Sequence, residues 1–393
     1  MARAPAPPFP VTAYSVGNAM GATTGEVIRA LESGRSGLRT SRADPDIEMV
    51  AGEFPGELPP PPASLRAYDT RLVRLALSVL EELVPAIEGA VARYGAGRVA
   101  VVLGTSTGGI RESEEAYARW RVEGRLPESF SLVLRHSFNG LLRAVRGRSG
   151  AGGPGYVVAT ACSSSAEALA AGRRLLLAGL ADAVLCGGAD TLCLTTLRGF
   201  RSLEAISRSA CRPFAAGRDG LSLGEGAAFL LLERTGEGPA WLLGAGESSD
   251  AHHMSHPHPE GLGAKAAMRD ALEDAGIASC DVDCVNAHGT GTQANDRIEA
   301  AAIGDVLGDR VPVASTKAYT GHLLGAAGAT EAVFSIAAIE RGFIPESLGA
   351  SPVDPEIRIA IAREPLRRPV RRALSNSFAF GGANVSLLFG VRP

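Results

Sequence analysis

The chain reads as an α/β protein built from two similar halves, and three observations lead there. Short β-branched runs alternate with helical patterns, which argues for a mostly parallel, covered sheet. Forty-eight glycines in an Ala-rich sequence suit close backbone packing and tight turns better than they suit a helical bundle. The sequence also echoes itself. "GYVVATACSSSAEALAAG" and "VPVASTKAYTGHLLGAAGATEAV" each run from a β-branched strand through polar residues into a small-residue helix. Each is followed later by a strand, Gly-rich turn, strand pattern, "LSLGEGAAFLLLE" and "SNSFAFGGANVSLLFG". Two units, 1–240 and 241–393, are the simplest account.

Element by element, an apolar stretch at 9–16 comes first, then a helix over about 24–33. The Pro-rich loop "FPGELPPPPAS" precedes an amphipathic helix expected over 69–94. "RVAVVLGTSTGG" is a buried strand delivering a Gly-rich turn, followed by a charged helix near 111–125, the strand into Cys162, its helix, and a strand at "AVLCGGAD". The most apolar long window, 175–197, carries Asp182 and Asp190 and breaks at Gly187 and Gly188. It reads as a buried helix followed by a strand, with no membrane span.

Composition narrows the function. With 46% hydrophobic and 21% charged residues in 393, the chain buries a large core and is not disordered. At 5% aromatic content and a formal charge of −3, it has neither stacking platforms nor a general attraction for nucleic acid or anionic membranes. The N-terminal "MARAPAPPFPVTAY" has no apolar core of signal-peptide length. Six cysteines without a C-x-x-C pair fit a reducing cytoplasm.

Cys162 falls at the seam between a strand and a helix. Buried, inert cysteine is the ordinary alternative, but a thiol in the first turn of a helix feels unpaired N–H groups and the dipole. A pKa lowered into roughly the 3.5–7.5 range is expected there, which makes a nucleophile. "VNAHGTGTQANDRIEA" places His288 before a Gly/Thr turn, and "STKAYTGHLLGAAG" places His322 five residues after Lys317 at another helix entry. Cys162, His288 and His322 thus form a set on three loop-to-element junctions. A rival is the G-x-S-x-G pattern "GTSTG" around Ser106, the signature of a serine α/β-hydrolase. The loop "HHMSHPH", with His252, His253, His256 and His258, lacks the i, i+4 organisation of a metal site and reads as a surface or pocket-rim loop; no metal is expected. "LRRPVRR" reads as a solvated connection.

The motifs "LESGRSGL", "TACSSS", "RPFAAGRDGLSLGEGAA", "AHGTGTQAND", "KAYTGHLLGAAGATEA" and "NSFAFGGAN" resemble, in order, those of the β-ketoacyl-acyl-carrier-protein synthases, the elongating condensing enzymes of fatty acid and polyketide synthesis. The resemblance implies a thiolase-like fold, with two halves, each with a mixed sheet, layered α-β-α-β-α. It implies decarboxylative Claisen condensation of malonyl-ACP with an acyl group carried on Cys162, an acyltransferase reaction. His288 and His322 would stabilise the enolate, with Lys317 and Glu299 as a supporting pair. Phe380 would gate the acyl pocket and, with Cys162, donate to an oxyanion hole beside Phe378, while Thr290 and Thr292 would bind the pantetheine arm. No resident cofactor is implied, since phosphopantetheine arrives on the acyl carrier protein.

The partners implied are acyl-ACP and malonyl-ACP, with a homodimer or a heterodimer formed with an inactive chain-length-factor subunit. Such subunits lack the cysteine that this chain has. An acidic carrier would meet a local basic rim, for which Arg66, Arg71, Arg121, Arg125 and Arg208 are candidates. "SSS" after the cysteine, Gln293 and "GGAN" depart from the common family pattern and leave acyl length, and the choice between fatty acid and aryl-polyene or other polyketide pathways, open.

Overall fold

The computed structural model describes residues 5–392. Ten strands, numbered here along the large sheet alone, are β1 (Phe9–Asn18), β2 (Val99–Gly104), β3 (Gly155–Val158), β4 (Ala183–Asp190), β5 (Gly226–Glu233), β6 (Ala240–Ser249), β7 (Cys284–Asn286), β8 (Val313–Ala314), β9 (Arg372–Phe378) and β10 (Ala383–Gly390). Their spatial order is β8-β7-β9-β10-β6-β1-β5-β4-β2-β3. Within the first half, reading outward from β1, the pairings run antiparallel, antiparallel, parallel, parallel. Reading outward from β6, the second half repeats that sequence through β10, β9, β7 and β8. The two five-stranded copies meet edge to edge only where Phe9, Pro10 and Val11 of β1 pair antiparallel with Leu242, Trp241 and Ala240 of β6.

Alternation along the strands builds the layers. Ala100 and Val102 of β2 and Val184 and Cys186 of β4 face a central core that also takes Val385 and Leu387 of β10. That core encloses the helices Ser164–Leu177 and Ala327–Arg341. Val99, Val101 and Leu103 face the opposite way, against the helices Arg71–Leu80 and Val84–Tyr94. Leu374 and Leu388 do the same in the second half against Leu262–Ala275 and Gln293–Leu307. The small-residue character of the central helices has a packing reason. A Cβ on Gly328 would lie 2.6 Å from that of Ala166, and one on Gly104 would lie 2.3 Å from the Ser165 nitrogen.

Two local expectations change, the helix over 69–94 and the strand at "LSLGEG", while the charged helix stands close to its expected bounds. The helix expected over 69–94 is divided by a 3-10 turn, Glu81–Leu83, because Pro85 lacks the N–H that a continuous helix needs and serves instead at the start of the next one. The charged helix runs Ile110–Glu123 and stops at Gly124, left-handed at φ 69°. The segment "LSLGEG" makes no hairpin partner for β5: Leu223 bridges His322 instead, and Ile206 bridges Leu221.

Candidate active site

Cys162 sits in the single turn Ala161–Ser163 that joins β3 to the helix Ser164–Leu177. The turn is sharp, with Ala161 left-handed at φ 50°, a conformation that persists in a non-glycine residue only where its surroundings impose it. The serine run imposes it. Thr160 N–H donates to Ser164 Oγ at 3.0 Å, Ser164 Oγ donates to the Ala161 carbonyl at 2.6 Å, and Ser163 Oγ donates to the Thr160 carbonyl at 2.9 Å. Ser165 accepts Ala329 N–H of the other central helix at 2.9 Å.

The thiol is not in the state its helix position predicts. Cys162 is only 5% exposed, and burial pushes it up to about 11, against a hydrogen bond from the Phe380 backbone and the charge of Lys317, both of which pull it down. A helix terminus contributes at most ~2 kcal/mol, roughly 1.5 pH units, so the loss of solvent wins.

His288 follows β7. Its backbone N–H and that of Gly289 each donate to the Glu299 carboxylate at 2.7 Å. His322 is held by backbone pairing, its N–H donating to the Ser222 carbonyl at 2.7 Å and its carbonyl accepting Gly224 N–H at 3.0 Å. The two rings are 5.3 Å apart and nearly perpendicular at 82°. His322 Nδ1 accepts Leu324 N–H at 3.2 Å, so Nε2 carries the proton in the neutral ring. His288 Nδ1 faces Lys317 Nζ at 3.4 Å. Both imidazoles lie well below the ordinary histidine range, first through burial and then through the nearby Lys317 charge.

Lys317 is paired with Glu331, Nζ to Oε1 at 2.5 Å. Glu299, expected with Lys317 as a support near His322, instead accepts the His288 and Gly289 backbone N–H groups, and burial pushes its carboxyl up to about 7. The sequence reading missed Glu331, although a lone glutamate in the apolar run "GATEAVFSIAAI" was a signal that something buried must pair with it.

A cavity of about 330 Å³ joins Cys162, His288, His322, Thr290, Thr292 and Phe380. Phe378 also lines it and lies 6.2 Å from the His288 ring. The Phe380 ring, 38% exposed, leans on Phe200 at 5.5 Å. Thr290 and Thr292 touch through their hydroxyls at 2.9 Å. Their turn is supported by Arg218, which donates to the carbonyls of Thr292 and Gln293 and pairs with Asp354 at 2.7 Å.

Among the basic-rim candidates, Arg66, Arg121, Arg125 and Arg208 are exposed. Arg71 is not available: its guanidinium forms a two-pronged ion pair with buried Glu225. Of the four loop histidines, His256 reaches the cavity mouth. The hydrolase alternative finds no support at Ser106, whose hydroxyl donates to Asp190 at 2.7 Å and accepts Gly325 N–H at 3.1 Å.

Comparison with known proteins gives the class. Residues 62–237 match the family described as beta-ketoacyl synthase, N-terminal domain, and residues 240–351 match its C-terminal domain. The chain is 38% identical over 307 residues to 3-oxoacyl-[acyl-carrier-protein] synthase 2 of Rhizobium meliloti (strain 1021), covering 73% of each. It is 37% identical to Nodulation protein E of the same strain, covering 77% of this chain and 76% of that one. A chain of the structure described as the ketosynthase ApeO in complex with its chain length factor ApeC from Xenorhabdus doucetiae superposes with a TM-score of 0.93 at 37% identity, covering 98% of each. The ishigamide ketosynthase/chain length factor follows at TM-score 0.90 and 29% identity, covering 98% of this chain and 99% of that one.

The chain belongs to the beta-ketoacyl synthase family and has its thiolase-like fold. It is a condensing enzyme of the β-ketoacyl-acyl-carrier-protein synthase type, an acyltransferase.

Proposed function

We propose that Cys162 carries the acyl chain and that His288 and His322 together stabilise the enolate formed from a malonyl thioester. The observation carrying this reading is the convergence of one thiol, two imidazoles and the Phe380 N–H on a single cavity. In the first half-reaction the sulfur of Cys162 attacks the acyl thioester carbonyl. The C–S bond to pantetheine breaks, and the thiol proton ends on the departing pantetheine thiol. Backbone N–H groups of Cys162 and Phe380 would hold the oxyanion, each worth about 3–4 kcal/mol.

In the second half-reaction the malonyl carboxylate leaves as CO₂. His288 and His322, donating through Nε2–H, stabilise the enolate oxygen. The enolate carbon then attacks the acyl-cysteine carbonyl, the C–S bond breaks, and Cys162 leaves as a thiolate that takes a proton from solvent water. Thr290 and Thr292 would bond the pantetheine arm. The scheme draws on no resident metal or redox cofactor. Incubation with an acyl-carrier thioester should add one acyl group by intact mass to the native chain and none to Cys162→Ala; equal acylation of both would reject the assignment.

We further propose that the chain pairs with another of the same fold, a second copy or a chain-length-factor subunit. β3 lies at one edge of the sheet, with β8 at the other, and the segment 117–133 exposes Tyr117, Trp120, Val122, Leu126, Leu132 and Val133, a patch of the kind that a partner covers. Native mass spectrometry of the protein from its source distinguishes the two partners. No helix among the described residues is long and apolar enough to cross a membrane. Six free thiols support a reducing cytoplasm as its place of action.

A further inference from the structure

We propose that Asp190 is a positioning residue for His322, its carboxylate fastening the turn that aims the imidazole to the Gly-rich turn after β2. The inference rests on the enolate-stabilising role proposed for His322. Asp190 ends β4 and is fully buried. Its Oδ1 accepts Thr105 Oγ1–H at 2.7 Å, Thr107 N–H at 3.0 Å and Thr107 Oγ1–H at 2.6 Å. Its Oδ2 accepts Ser106 N–H at 2.9 Å, Ser106 Oγ–H at 2.7 Å and Gly325 N–H at 2.6 Å. Six donors exceed the roughly four lone-pair sites that a carboxylate offers, so the group is saturated, and its partners are drawn from two distant parts of the chain.

Five of the six donors belong to "TST" in the unit that carries Cys162. The sixth, Gly325 N–H, lies three residues beyond His322 in the turn Leu324–Ala326. A Cβ on Gly325 would fall 2.6 Å from Asp190 Oδ2 and 2.7 Å from the Ser106 nitrogen, so the contact leaves no room for a side chain. Leu324, between His322 and Gly325, is left-handed at φ 53°, a conformation that needs its surroundings to hold it. The same Leu324 N–H fixes His322 Nδ1 and thereby presents Nε2–H to the cavity. The chain of contacts is therefore carboxylate, Gly325 N–H, strained Leu324, imidazole. The serine of "GTSTG" acquires a role as a donor to this tie. Asp190 also places a negative charge near Cys162, joined there by Glu331 and opposed by Lys317.

Two variants test the proposal. Asp190→Asn keeps the shape but removes the charge and turns one acceptor into a donor. Ser106→Ala/Thr107→Val keeps the charge and removes two hydroxyl donors. Malonyl-thioester decarboxylation, iodoacetamide alkylation of Cys162 across pH, and thermal midpoint are measured for each. Asp190→Asn should lower decarboxylation on the order of a hundredfold, the scale of a 1 Å misplacement of a reacting group, while Cys162 is still alkylated to completion with its pH midpoint moved down. The double variant should lose less decarboxylation and leave the pH midpoint in place, and it carries the test if Asp190→Asn does not fold. Decarboxylation at the native rate, or lost only in proportion to alkylatable Cys162, overturns the proposal. His322→Ala run in parallel separates the readings. Unchanged decarboxylation there removes the enolate role and this proposal with it. A deep loss there beside a normal Asp190→Asn removes this proposal alone.

Discussion

Replacing Lys317 by Met should damage stability and one half-reaction by separable amounts. Lys317 and Glu331 are 1% and 4% exposed at their side chains and 2.5 Å apart, and Glu331 sits in a helix whose residues from Ala327 to Ile339 are all buried. Removing the cation leaves a buried carboxyl that is already pushed upward by burial and held down mainly by Lys317. Breaking such a pair costs about 3–5 kcal/mol. With an unfolding entropy of roughly 2.1 cal/mol/K per residue across the 393-residue chain, the midpoint should fall by ~4–6 °C. Glu331→Leu added to Lys317→Met removes the orphan, and replacing a buried pair with apolar groups is commonly neutral or stabilising, so most of the loss should return.

Activity should not return with it. His288 Nδ1 loses the Nζ facing it at 3.4 Å in both variants, so malonyl decarboxylation should stay low in both while Cys162 remains acylatable. The alkylation midpoint of Cys162 should move up, since the Lys317 charge lowers the thiol pKa. Scanning calorimetry and the separated half-reactions read these outcomes. A double variant as unstable as the single one, or one with decarboxylation restored, would refute the reasoning.

Three other outcomes are expected. Ser106→Ala alone should keep at least about a tenth of native condensation, because one of several donors is lost at a cost of about 0.5–1.5 kcal/mol; a fluorophosphonate that labels Ser106 and stops turnover would revive the hydrolase reading. Because His322 is depressed well below 6.5, the folded protein refuses a proton that the unfolded chain takes below about pH 6.5, and stability is lost as pH falls through that range. His322→Asn lacks this loss, so its thermal midpoint relative to the native protein should rise between pH 7 and 5; a constant difference contradicts it. Arg66→Glu/Arg125→Glu should raise the Michaelis constant for carrier-bound substrate in a salt-sensitive way while sparing a small pantetheine thioester, and an equal effect on both substrates removes the docking rim.

Much of the candidate site was legible because Cys162, His288 and His322, which line one cavity, each stand where a strand or turn meets a helix, and the flanking residues identify the junction. Cys162 after "ATA", His288 before "GTGT" and His322 before "LLGAAG" needed no long-range information. The supporting groups did. Lys317 and Glu331 are brought together by the packing of the turn at Lys317 beneath the helix from Ala327. Glu299 was legible as a supporting residue from its place in the His288 motif, but the sequence does not show that its oxygens accept the His288 and Gly289 backbone N–H groups. Arg71 looked like an exposed helix arginine, yet Glu225, 154 positions away, draws it inward. "GTSTG" matched a nucleophile elbow in letters alone, and only the arrival of Asp190 and Gly325 shows its hydroxyls to be donors. The two five-stranded copies were visible as a repeat, but their seam rests on three residue pairs that no periodicity announces.

The electrostatics of the cavity follow from one buried cation acting in one direction on unlike groups. Lys317 lowers the pKa of His288, His322 and Cys162 alike. For the imidazoles it reinforces burial, so both remain neutral, and each keeps a single N–H that can be aimed. For the thiol it opposes burial, which still dominates. Burial thus favours a protonated thiol beside neutral imidazoles over a thiolate–imidazolium pair. Under the proposed reaction, acylation would then move a proton as the C–S bond is exchanged, and the departing pantetheine sulfur is the group that can take it without charging a histidine. An imidazolium formed in that step would enter the second half-reaction facing the Lys317 charge and would have to be discharged before the ring regained its acceptor nitrogen toward Leu324 or Lys317. The burial that makes the thiol a reluctant acid also strengthens N–H donation to an enolate oxygen, because the same low dielectric applies to both. Under the proposed reaction, the cavity would give up readiness of the nucleophile and gain stabilisation of the carbanion.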